Sequence, residues 1–159
     1  MKTNQQVIDA WLRRERSEGR NIFTDGTIIY SYGYHFPIAR ILPNGGVLYN
    51  KTRYSNTTSK HQCHVRRSIG RRNCIVCHAI DYHTNEVRTK NEIRSLLLKI
   101  PKCRKLDDRV WDIKMEIDRY ERYCDATEAK TPQWVLNIKF AINNLKGKSI
   151  RAWAKNYVL

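Results

Sequence analysis

Asn21-Ile22-Phe23-Thr24-Asp25-Gly26-Thr27-Ile28-Ile29-Tyr30-Ser31-Tyr32 decides the fold class of the N-terminal half. Two runs of β-branched and aromatic residues flank Asp25-Gly26, and an Asp-Gly pair readily supplies the positive-φ backbone of a tight hairpin. The pattern continues outward: after Gly33 come His35-Phe36-Pro37-Ile38-Ala39-Arg40-Ile41-Leu42, the turn sequence Pro43-Asn44-Gly45-Gly46, and Val47-Leu48-Tyr49-Asn50. This reads as a meander of three to four antiparallel strands. Pro37 belongs at an edge or a bulge, because proline donates no ladder hydrogen bond. Upstream, Thr3 with Gln6 three residues later is a capping-box signature, and Val7, Ile8, Trp11 and Leu12 give one apolar helical face. Gly19 is the expected stop of that helix.

Downstream the period lengthens. A short helix is predicted over roughly 59–69, ending at Gly70, and residues 73–82 read equally as strand or helix. Further helices are predicted from Thr84 to just before Pro101, over 105–124, and from Thr131-Pro132 to Gly147, with a last amphipathic segment from Ser149. The expected fold is α+β: an N-terminal helix and a small antiparallel sheet of three to four strands, then a C-terminal bundle of three or more helices. Residues 1–82 form a basic α+β domain in this reading, and residues 83–159 a helical region packed on it or forming a subdomain.

The 159 residues carry 30 Lys+Arg against 15 Asp+Glu, a formal charge of +15. Hydrophobic residues make up 41%, enough for a core, which excludes wholesale disorder. No run approaches the roughly 18 apolar residues that span a bilayer, so no membrane partner is expected. The polar start Met1-Lys2-Thr3-Asn4-Gln5-Gln6 lacks the apolar run of a signal peptide, so the expected compartment is the cytoplasm. The charge is segregated. Residues 60–72 hold five cations and no acid, and residues 130–159 hold six cations and no acid. The 105–125 helix instead mixes seven acids with five bases.

Phosphate is the natural partner of the first of these clusters, since neutralising a polyanion relieves the self-repulsion of uncompensated cations. A helix N-terminus lined by hydroxyls adds donors for phosphate oxygens. The candidate contacts are therefore Thr57, Thr58, Ser59, Lys60, His61, Arg66, Arg67, Arg71 and Arg72, with the basic tail extending the footprint. Tyr30, Tyr32, Tyr34, Tyr49 and Tyr54 could stack on unpaired bases, the first three sharing a face if their strand is regular. Ordinary packing at the edge of a sheet explains such tyrosines as well.

Five cysteines without an export signal argue for reduced thiols. Cys74-Ile75-Val76-Cys77-His78 carries the haem-attachment string, but that chemistry belongs to an oxidising compartment and haem is rejected. Cys74 and Cys77 have a spacing usable for a structural zinc, with further ligands drawn from Cys63, His61, His64, His78 and His83. Buried structural cysteines are the competing reading, and no cofactor is then needed.

Tyr54-Ser55-Asn56-Thr57-Thr58-Ser59-Lys60-His61, preceded by Ser31-Tyr32-Gly33-Tyr34-His35-Phe36-Pro37-Ile38-Ala39-Arg40, resembles a small domain encoded by many bacteriophages. The resemblance covers about residues 28–68. It implies a phage or mobile-element origin and a strand–loop–helix layout, and it supplies no catalytic residues. A two-metal nuclease would need clustered carboxylates, which the basic half lacks. The expected function is thus a phage-encoded, non-enzymatic nucleic-acid-binding protein of the host cytoplasm. Two alternatives stay open. One is an effector that binds and inhibits an acidic host or defence protein. The other is a metal-independent ribonuclease using His61 or His64 as base and Lys60 or Arg66 on the phosphate.

Overall fold

The computed structural model describes residues 1–70 and 72–157. The chain forms two compact units, Met1–Asn85 and Glu86–Leu159.

The first unit starts with α1 (Asn4–Leu12), whose Thr3 side chain accepts from the Gln6 backbone while the Gln6 side chain accepts from Thr3 N–H, the reciprocal capping box. The helix stops well before Gly19. Arg14 adopts φ +62° and its N–H returns to Trp11 O at 2.8 Å, closing the last turn before the charged run can extend it. Strands β1 (Ser17–Glu18), β2 (Ile22–Thr24), β3 (Ile28–Ser31), β4 (Pro37–Ile41) and β5 (Val47–Asn50) follow as an antiparallel meander. Asp25 holds the β2–β3 turn: its Oδ1 accepts from Thr27 N and Ile28 N, and Gly26 sits at φ +97°. A Cβ on Gly26 would meet Arg14 O at 2.8 Å, so this turn needs glycine twice over.

The chain then runs through α2 (Asn56–Ile69) into β6 (Cys74–Cys77), which pairs parallel to β5. The sheet among the described residues therefore has six strands in sequence order and is mixed, rather than three to four antiparallel ones. The two added strands are the two-residue edge β1 and β6, which lies in the stretch that read equally as helix. Pro37 begins β4 at a register shift opposite Ile29/Tyr30, which is a bulge position and not an edge. One face of the sheet carries Ile22, Ile29, Ala39, Ile41 and Val47 against Val7, Ile8 and Trp11 of α1 and Val65 and Ile69 of α2.

The second unit is helical, with α3 (Tyr82–Leu97) crossing the boundary between the two. A 3₁₀ turn (Ile100–Lys102), α4 (Leu106–Ala126), α5 (Gln133–Asn144) and α6 (Gly147–Asn156) complete it. Its core comes from Ile113, Ile117, Tyr120 and Tyr123 of α4, Val135 and Ile138 of α5, and Ile150 of α6. Arg151 fastens α6 to the 3₁₀ turn, donating from Nη1 to Ile100 O at 2.8 Å and from Nη2 to Cys103 O at 2.9 Å. Among the described residues, no helix is long and apolar enough to cross a membrane.

Candidate nucleic-acid interface

α2 begins earlier than its hydrophobic pattern suggests because Ser55 caps it. The Ser55 Oγ accepts from Thr58 N at 3.1 Å and donates to Thr58 Oγ1 at 3.0 Å. From there the helix divides sharply. Its buried face is Thr58, His61, Gln62, Val65 and Ile69, at the three-to-four-residue steps of one helical stripe. Gln62 Nε2 donates to Asn50 O at 2.7 Å and to Thr52 O at 3.0 Å, which ties α2 to the end of β5. His61 Nδ1 lies 2.8 Å from Ser31 Oγ of β3. Burial, and then the nearby His64, hold the His61 pKa below its ordinary value of 6.5.

Two of the expected phosphate contacts are therefore corrected. Thr58 and His61 are 1% and 4% exposed and face the sheet, where they seat the helix and cannot reach a polymer outside. Thr57, Lys60, Arg66, Arg67 and Arg72 are exposed and Ser59 partly so, while Arg71 lies outside the described residues. Lys60 and Arg67 are seven residues apart on the middle of the outer face, with Cys63 and His64 between them. Arg66 turns to the flank, its guanidinium carbon 5.7 Å from the centre of the Tyr49 ring. Arg72 reaches Leu12 O at 3.4 Å. Among the described residues, none of these four cations forms an ion pair with a carboxylate.

The basic tail is less available. Arg151 is held by backbone carbonyls, and Lys139 pairs with Glu121 at 2.8 Å. Lys146, Lys148 and Lys155 remain exposed.

The tyrosines do not share one face. Tyr30 and Tyr34 form a cluster with Phe23, with ring centroids 4.8–5.0 Å apart, on the sheet face away from Ile22 and Ile29. Burial and the hydrogen bond it donates to Asp25 Oδ2 push the Tyr30 phenol up to about 12. Tyr54 packs against Phe36. Tyr32 goes the other way: at φ +62° it leaves the strand, and its ring rests beside His61 with centroids 5.7 Å apart. The sequence carried one hint of this, the Ser31-Tyr32-Gly33 break in the apolar alternation. Nothing local in the sequence marked Gln62 as an anchor.

Cys74 and Cys77 lie three residues apart on a strand, so their side chains leave opposite faces of β6. Cys74 packs against the core under the helices, while Cys77 is buried on the other side with its Sγ 3.4 Å from Tyr49 O. Burial pushes the Cys77 thiol up to about 12 and raises Cys74 as well. Among the described residues, no group of three or more His, Cys, Asp or Glu is placed to hold a metal.

No curated protein and no solved structure matches the chain. Residues 3–72, from the cap of α1 to the cations just past α2, match a family model described as "Family of unknown function (DUF8033)", so the likeness covers α1, β1–β5 and α2 of the first unit and brings no activity with it.

Proposed function

We propose that the N-terminal unit binds nucleic acid, gripping the phosphate backbone along the outer face of α2 without cleaving it. The observation that supports this reading is the exposed pair Lys60 and Arg67, without a carboxylate partner among the described residues. Seven residues of helix separate them by about 10 Å along the axis, far enough for each to meet its own phosphate. Arg66 and Arg72 flank the pair, and the Thr57 and Ser59 hydroxyls at the start of the helix add donors. Cations left facing one another cost stability until an anion arrives, so such a face is poised for a polyanion. For the hydrolytic alternative, which called for His61 or His64 as base, the His61 ring is hydrogen-bonded to Ser31 inside the fold and His64 is the exposed candidate. The phage-type motif adds the proposed setting, an infected host's cytoplasm.

Fluorescence anisotropy with labelled mixed-sequence DNA and RNA over a salt series tests the reading. Log affinity should fall steeply with log salt, and Lys60→Ala or Arg67→Ala should each flatten the slope by about one unit. Lys114→Ala, on the exposed side of α4, should leave it unchanged. Flat, weak binding at low salt would reject the proposal.

A further inference from the structure

The turn after β3 sets one aromatic ring beside the cationic helix, and its geometry bears on which form of nucleic acid fits. Ser31 directs its Oγ to His61 Nδ1, 2.8 Å away on α2. Regular strand alternation would send the next side chain to the opposite face. Tyr32 instead takes φ +62°, a left-handed backbone uncommon for any residue with a side chain and rarer for a bulky one. Its N–H is held by Asn21 O at 2.8 Å, so the surrounding turn fixes this conformation. The result is that two consecutive residues both face α2. The Tyr32 ring is backed by the buried imidazole of His61, at 5.7 Å and a 36° tilt, yet the residue stays 52% exposed. On the helix, His61 is bordered by Lys60 and by Thr57 and His64, the start of the outer face that carries the cations. Tyr34 and Tyr54, also exposed, pack on Phe23 and Phe36 instead.

We infer that Tyr32 is a stacking platform for an unpaired base, so that the α2 face binds single-stranded nucleic acid in preference to duplex. This rests on the nucleic-acid reading above and extends it. In a duplex each base is covered by its neighbours on both sides and offers no free π-face to a protein ring. A single strand whose phosphates lie on Lys60 and Arg67 can turn one base onto Tyr32, and stacking tolerates any base.

Anisotropy with a short mixed-sequence single strand, and with the duplex of the same sequence, provides the test. Wild type should prefer the single strand. Tyr32→Asn removes the ring while suiting the left-handed backbone, so it should unfold at no lower temperature than wild type. It should nonetheless bind the single strand about tenfold more weakly, with duplex affinity unchanged. Tyr32→Phe should behave as wild type. If Tyr32→Asn binds both forms as wild type does, or weakens both equally, the stacking role is wrong even though Lys60→Ala still lowers the salt slope. If neither form binds at any salt, the stacking role and the phosphate-binding reading both fall.

Discussion

α2 and α4 are both amphipathic and both highly charged, yet they are built in opposite ways. α4 buries apolar residues, Ile113, Ile117, Tyr120, Tyr123 and Cys124, and neutralises its outer charges locally. Arg109 pairs with Asp112 at 2.9 Å, Arg119 with Glu116, and Lys139 of α5 with Glu121. α2 buries three polar side chains, Thr58, His61 and Gln62, among its five buried residues and leaves its outer cations without carboxylate partners among the described residues. A helix that needs only to fold is served by the first arrangement. The second places specific hydrogen bonds inside, which fix the helix in register on the sheet, and an unbalanced charge outside, the feature the proposed function draws on.

The comparison breaks most visibly through Gln62. Gln62→Leu keeps the volume but leaves the Asn50 and Thr52 carbonyls without their donor, and should cost about 2–4 kcal/mol. Urea unfolding read by circular dichroism measures this, and a loss well under 1 kcal/mol would show that α2 is seated by Val65 and Ile69 alone.

A smaller effect comes from pH. The His61 pKa is lowered in the folded protein by burial and then by His64, so the unfolded chain takes up the proton first. The stability tied to neutral His61 is whole above the ordinary value of 6.5 and is lost as pH falls from there through the folded pKa. The urea midpoint of wild type should therefore drop on acidification more than that of His61→Asn. Parallel curves for the two proteins would remove His61 as the cause. The smallest change is expected in α4. Lys139→Met breaks a pair whose side chains are 43% and 22% exposed, and should cost less than about 1 kcal/mol, shrinking further in salt. A larger cost would mean that the charges of α4 hold its unit together as the hydrogen bonds of α2 hold theirs.

Much of the fold was legible wherever the information lies within a few residues. The capping box at Thr3 and Gln6, the Asp25-Gly26 turn and the apolar stripe of α4 each depend on local backbone geometry. The cationic character of residues 60–72 is equally a property of the chain itself.

The inner and outer faces of α2 were not legible, because Thr58, His61 and Gln62 are polar and pattern reading assigns polar residues to solvent. They are buried because Ser31, Asn50 and Thr52, distant in the chain, supply the partners that make burial tolerable. The same holds for β6, whose four residues become a strand by pairing with β5 across the α2 crossover. It holds also for Tyr32, whose direction follows from a single left-handed residue that the turn imposes. Sequence alone determined which segments would fold locally and where charge would gather. Tertiary structure decided which polar groups point inward, since that depends on hydrogen-bond partners that only the folded chain brings within reach.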